Sequence, residues 1–190
     1  ETVAILSHHT KSILQALAAG IDMVGYGLNR DDLDKAKQAW PIVQRNLGRI
    51  NEQILNMLAF SKDREPLLEN LDVNSVLNDC IELTAPAADE RGVALLTDLD
   101  ELPPIPADAQ GLHHALLNLV QNALDAVDDE TGAITVRSSH DSMNRQVRVQ
   151  VIDNGLGIEP DKLGDIFTPF FSEKGQKGTG LGLAVARKVV

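Results

Sequence analysis

The chain has 190 residues, 17 basic and 28 acidic, for a formal charge of −11. Residues 1–66 hold 8 of each sign, so residues 67–190, with 9 basic and 20 acidic, carry the whole excess. Such a second half lacks the clustered cations that a nucleic-acid backbone or an anionic membrane surface requires, which excludes both as expected partners. Apolar residues make up 43 %, enough for a core. No apolar run reaches the ~20 residues that cross a bilayer, and no signal peptide opens the chain. The single cysteine, Cys80, rules out an internal disulfide and fits a reducing, cytoplasmic compartment. Its place between apolar helix positions marks a small core residue rather than a reactive thiol.

The first predicted helix carries Leu14, Leu17, Ile21, Val24 and Leu28 at alternating steps of three and four, the pattern of a coiled-coil seam. Asn29-Arg30-Asp31-Asp32 breaks it and offers capping side chains. A second seam follows at Ala36, Trp40, Val43, Leu47, Ile50, Ile54 and Met57, with Pro41 inside it as an expected kink. Two helices, each ~40 Å long, have too little interior to bury both stripes. A dimer of hairpins forming a four-helix bundle is the economical solution, and packing on the second half of the same chain is the alternative. The seam puts His8 about 160° from the centre of the apolar stripe and His9 about 100° from it, so His8 faces water and His9 the border.

Arg64-Glu65-Pro66 ends the second helix and opens a linker. Leu71–Val73 reads as a short strand, followed by a helix capped by Asn74 and carrying Val76, Leu77, Cys80, Ile81 and Leu83. Val93–Leu99 is a strand, and Pro103, Pro104 and Pro106 mark a loop. Asp108 caps a long helix reaching about Val127. Ile134–Arg137 and Val147–Ile152 alternate as paired strands. The expected fold is therefore α+β: a helical hairpin over residues 1–64, then an α/β sandwich over residues 65–190 with a mixed sheet covered by helices on one face.

Three segments carry chemistry. Asn118 and Asn122, four apart, project two amides from one helix face, a neutral oxygen-donor pair suited to magnesium shared with phosphate and water. Surface amides without a ligand are the bland reading of the same pair. Asp153-Asn154-Gly155-Leu156-Gly157 follows a strand; its glycines permit positive φ and close approach, and Asp153 can accept from an exocyclic amine. A simple turn accounts for it equally. Gly178-Thr179-Gly180-Leu181-Gly182 leads into an apolar helix, where backbone N–H groups can bind phosphate, with Lys174 and Lys177 just before it.

The order and spacing of these segments, with Phe167-Thr168-Pro169-Phe170-Phe171 between the last two, resemble the N, G1, F and G2 boxes of the sensor histidine kinase ATP-binding domain. That domain belongs to the superfamily shared with gyrase, mismatch-repair proteins and heat-shock chaperones. Leu6-Ser7-His8-His9-Thr10-Lys11-Ser12-Ile13-Leu14 resembles the same family's phosphoacceptor box. The resemblance implies ATP and Mg²⁺ as cofactors, with Asn122 on the metal and Asn118 on the phosphates. It places Asp153 on the adenine amine, and Gly155 and Gly157 under the base. Phe171 with Phe167 and Phe170 would anchor a lid containing Lys174 and Lys177, while Gly178, Thr179, Gly180, Leu181 and Gly182 would cradle the triphosphate. His8 would take the γ-phosphate as a neutral imidazole and pass it to an aspartate of a response-regulator receiver domain. The implied assembly is a homodimer through the hairpin.

The sequence departs from the family pattern after the phosphoacceptor, where an acidic residue usual in the family is replaced by His9; a neutral imidazole can still take a proton. Ser12 stands where some relatives carry a residue proposed to orient water for phosphatase action. Relatives continue past Leu181–Val190 into further strands, so the chain is expected to be part of a longer protein. Two other functions fit parts of the pattern: a non-catalytic nucleotide-binding scaffold, and an ATP-gated clamp of the gyrase or mismatch-repair type.

Overall fold

The computed structural model describes residues 2–61, 65–172 and 180–190, with side chains at all of these except 2–6, 8, 9, 52 and 59–61. The chain divides into two compact units, residues 1–62 with 168–181, and residues 63–167 with 182–190.

In the first unit, α1 (Thr2–Asn29) and α2 (Leu33–Ser61) form an antiparallel hairpin. Asp31 turns the chain at φ 55°, and Asp32 caps α2, its Oδ1 accepting the Lys35 N–H at 3.1 Å. Helix α2 runs unbroken through Pro41, which lies on the exposed side, where the carbonyl it leaves unpaired can be solvated.

The helices meet along a row that the hydropathy pattern shows in part on α2, at Ala36 and Val43, and not on α1. Ile13, Gly20 and Gly27, seven apart, face inward on α1, against Ala36, Ala39, Val43, Asn46, Gln53 and Asn56 on α2. The glycines let the backbones close: a Cβ on Gly20 would sit 3.1 Å from Val43 Cγ2, and one on Gly27 2.8 Å from the Ala36 nitrogen. Leu14, Ile21 and Leu28 of the predicted seam, with Trp40, Leu47 and Ile54 on α2, are instead 50–58 % exposed. The expected α2 stripe is thus split, with Ala36 and Val43 inside the hairpin and Trp40, Leu47 and Ile54 outside it.

In the second unit, β1 (Glu69–Leu71) pairs antiparallel with β3 (Ile105–Ala107). A mixed sheet runs β2 (Ala94–Leu99), β4 (Ala133–Asp141), β5 (Gln146–Asp153), parallel between the first pair and antiparallel between the second. Helices α3 (Val73–Glu90) and α4 (Ala109–Ala126) cover it, and α5 (Gly182–Val189) follows. Val73, Val76, Leu77 and Cys80 of α3 pack with Leu116 and Val120 of α4 and Val136 of β4. This is the expected α+β architecture. Burial pushes the Cys80 thiol from 9.0 up to about 11, with the nearby Asp79 charge adding to the shift, as befits a core residue.

Two local expectations are corrected. The cap of α3 is Asp72, not Asn74: its Oδ1 accepts the N–H groups of Asn74 (2.9 Å) and Ser75 (3.3 Å). The Asn74 side chain instead donates to the Asp100 carbonyl and accepts from the Ser138 hydroxyl, both at 2.8 Å, tying helix to sheet. The proline-rich stretch contains strand β3, with Pro106 opposite Asn70. A two-stranded ribbon has only edges, so a residue without an N–H costs it little.

Candidate functional site

Helix α4 is the axis of the site. It starts from Asp108, whose carbonyl accepts the Leu112 N–H at 2.9 Å, and presents Asn118 buried and Asn122 half-buried one turn apart. Asn118 lies against the start of α5, where a Cβ on Gly182 would stand 3.1 Å from Asn118 Oδ1 and 3.3 Å from its Cγ. The absence of a side chain at Gly182 leaves this helix N-terminus close to the amide.

The other end of α4 supports the loop after β5. Asp153 closes that strand opposite Ile134, and its Oδ1 accepts the Gly155 N–H at 2.9 Å. This Asx turn fixes the carboxylate relative to the loop. Asn154 braces the loop against β4: Oδ1 accepts the Ala133 N–H at 2.8 Å, and Nδ2 donates to the Thr131 carbonyl at 3.1 Å. Gly155 rests on α4 itself, since a Cβ there would fall 2.3 Å from the Ala126 oxygen, and the Leu156 N–H donates to that oxygen at 3.2 Å. Gly157 has φ +70° and nothing near its missing Cβ. One glycine is required for space and the other for conformation.

In the first unit's second segment, the Phe170 N–H donates to the Gly180 carbonyl at 2.8 Å, and the Phe171 N–H to Thr168 at 3.1 Å. Gly180, at φ +63°, packs on the Phe170 and Phe171 backbones, with 2.5 Å from its would-be Cβ to the Phe170 carbonyl carbon. The chain on the two sides of residues 173–179 is thereby pinned together. Phe171 is half-buried, and the Leu181 side chain is fully buried. Phe167, in the second unit, lies under the Arg187 guanidinium, 5.5 Å from ring centre.

Of the expected site residues, Asn118 and Gly182 are brought into contact, and Gly155, whose N–H Asp153 accepts, rests on the last turn of the helix that carries Asn122. Lys174, Lys177, Gly178 and Thr179 lie outside the described residues. His8 and His9 belong to α1, and their side chains lie outside the described ones. The bracing role of Asn154 was not deduced from its motif, because both its partners lie across the sheet at residues 131 and 133. No helix among the described residues is long and apolar enough to cross a membrane.

A model of the family "Histidine kinase-, DNA gyrase B-, and HSP90-like ATPase" matches residues 107–190. Sensor histidine kinase ZraS of Escherichia coli (strain K12) is 36 % identical over 157 residues, 82 % of this chain and 33 % of that protein. The solved catalytic domain of histidine kinase ThkA is 31 % identical, with 67 % of this chain and 80 % of that chain covered and a TM-score of 0.58. ThkA solved in complex with the response regulator protein TrrA matches at 25 % identity and TM-score 0.66, covering 99 % of this chain and 55 % of that one. The chain spans about a third of the length of the curated relatives it matches. With Gly155 and Gly182 of the ATPase motifs packed against the helix that carries Asn118 and Asn122, and with these likenesses, the chain belongs to the sensor histidine kinase family.

Proposed function

We propose that the chain is the core of an ATP-dependent protein-histidine kinase in a two-component system. Residues 1–64 serve as the dimerisation and phosphotransfer hairpin and residues 65–190 as the ATP-binding domain, in a cytoplasmic setting. The observation that carries this reading is the arrangement along α4. Two amides and a glycine-entered helix stand toward one part of it, and the loop that holds the Asp153 carboxylate rests on its last turn. A nucleotide laid along this helix meets an acceptor for its base amine and neutral oxygen and backbone N–H groups for its phosphates.

Asp153 takes the adenine amine, Gly155 and Gly157 shape the floor beneath the base, and Asn118, Gly178, Thr179, Gly180, Leu181 and Gly182 contact the phosphates. Phe171 anchors the segment with Lys174 and Lys177. Among the described residues no three His, Cys, Asp or Glu side chains converge on a point that could hold a metal. The Asn122 amide oxygen fits Mg²⁺ as one neutral ligand among phosphate oxygens and waters. Bound there, the ion supplies charge neutralisation on the phosphates. An imidazole nitrogen of neutral His8 forms the N–P bond as the bond to the bridging oxygen breaks and ADP leaves, and His9 takes up the proton. The phosphoryl group then passes to a response-regulator aspartate. The complex of ThkA with TrrA supports that partner class.

The outer rows Leu14-Ile21-Leu28 and Leu33-Trp40-Leu47-Ile54, each at spacing seven, support a homodimer through the hairpin.

γ-Labelled ATP tests the reading. The wild type should acquire acid-labile, base-stable label and His8→Ala none; label retained on His8→Ala overturns the assignment. Mg²⁺-ATP binding without label would make the chain a scaffold. His9→Ala should slow labelling without abolishing it, and an unchanged rate removes His9 from the mechanism.

A further inference from the structure

Arg91 lies outside every motif, at the C-cap of α3, yet its side chain serves another helix. Nη1 donates to the Leu124 carbonyl at 2.5 Å, Nη2 to the Val127 carbonyl at 2.7 Å, and Nε to Asp129 Oδ1 at 2.6 Å. Leu124 belongs to the last turn of α4 and Val127 is its C-cap, where carbonyls have no helical partner. A guanidinium there satisfies them and stands at the negative end of the helix dipole. The backbone adds to the clamp: the Glu130 N–H donates to the Arg91 carbonyl at 2.9 Å, and Gly92, at φ +63°, packs on Glu130.

Between the two carbonyls that Arg91 holds lies Ala126, the residue on which Gly155 rests and to which the Leu156 N–H donates. The last turn of α4 is therefore gripped by Arg91 and in turn carries the loop that orients Asp153. We infer that Arg91 is a positioning residue of the nucleotide site, fixing the platform under the Asp153–Gly157 loop. This rests on the reading of that loop as the base-binding element. Lysine is no substitute, because a single ammonium cannot span two carbonyls and a carboxylate as the planar fork does.

The test uses the full chain, a fluorescent ATP analogue with Mg²⁺, and a temperature at which circular dichroism shows every variant folded. Arg91→Ala and Arg91→Lys should each raise the Kd about tenfold, the usual cost of removing a group that orients a ligand-contacting one. Both should also shift the Gly155 and Leu156 amide resonances. Ser138→Ala, which loses a buried hydrogen bond to Asn74 elsewhere in the domain, controls for destabilisation alone. It should lower the Tm yet leave Kd within about twofold and those resonances in place. Should Arg91→Ala not fold, Arg91→Lys, which keeps charge and stem, carries the comparison. A wild type that binds the analogue no better than Arg91→Lys, or a Ser138→Ala loss of equal size, overturns the inference alone. A wild type that binds no nucleotide overturns the site reading and the inference with it.

Discussion

Gly155→Ala tests the packing of the loop on α4 most directly. The added methyl would lie 2.3 Å from the Ala126 oxygen, 2.6 Å from its carbonyl carbon and 3.0 Å from its Cβ. Relaxed C···O contacts fall at about 3.3–3.6 Å, so the loop must retreat by roughly 1 Å. Neither side yields easily, since the obstacle is helix backbone. The Leu156 N–H bond to Ala126, already 3.2 Å long, then leaves hydrogen-bonding range. Overpacking and the lost bond together cost about 2–4 kcal/mol, a Tm fall of roughly 10 °C for a domain of this size. A displacement of that size in the element carrying Asp153 should weaken ATP-analogue binding about a hundredfold. Gly157→Ala is the internal comparison: it meets nothing within 4 Å and pays only for its φ of +70°, about 1 kcal/mol. Fluorescent-nucleotide titration and thermal unfolding of both variants decide the matter. Gly155→Ala with wild-type Kd and Tm, or Gly157→Ala as the more damaging change, would refute the reasoning.

Two other predictions follow from burial and exposure. Cys80 is fully buried with its thiol pushed up to about 11, so it should resist Ellman's reagent at pH 8 in the folded protein and react on unfolding; prompt native-state reaction would contradict the packing. Because the folded pKa exceeds the unfolded one, the folded state holds more protons between them. Stability should fall as pH rises from 9 toward 11, by an amount on the order of 2 kcal/mol that Cys80→Ala abolishes. On the outer hairpin face, Ile21→Glu with Leu47→Glu places charge in both exposed rows. Sedimentation should show a dimeric wild type and a monomeric double variant, and a double variant that stays dimeric refutes that face as the interface.

The site was legible where glycine has a sequence neighbourhood and illegible where its partner is backbone. Asp153, Gly155 and Gly157 could be assigned to one loop because a strand pattern ends in front of them. The reason Gly155 is glycine, the Ala126 carbonyl, lies on another element. Arg91 was invisible for the same reason, its acceptors being carbonyls 33 and 36 residues away. In the hairpin, hydropathy found the helices and, at Ala36 and Val43, part of the inner row on α2, but missed its α1 side, because Gly20 and Gly27 carry no apolar signal and act through what they lack. At α3, Asp72 and Asn74 were both competent caps; a tertiary contact decided between them, since Asn74 is held by Asp100 and Ser138. The strand at Ile105–Ala107 was masked by proline, whose usual meaning fails on a ribbon made only of edges.

The acidic excess of the second half bears on the proposed substrate, which is itself a polyanion. A uniformly negative domain would oppose ATP, but the charge is not uniform along α4. Asp125, Asp128, Asp129 and Glu130 crowd its C-terminal end, where Arg91 bonds Asp129 and two carbonyls. On the proposed reading this end receives the base, which needs an acceptor for an amine and is not repelled by carboxylates. Asn118 and Gly182 stand two helical turns earlier, about 12 Å away at 1.5 Å per residue, and neither is charged. That separation is comparable to the reach of a nucleotide from base to phosphates. On that reading the helix sorts the field along the ligand, acceptors at the amine and neutral donors at the phosphates, and the remaining charge would fall to Mg²⁺ and to Lys174 and Lys177. Binding held by so few cations should depend steeply on Mg²⁺, and tight binding that survives EDTA would show that the charge is met by some other means.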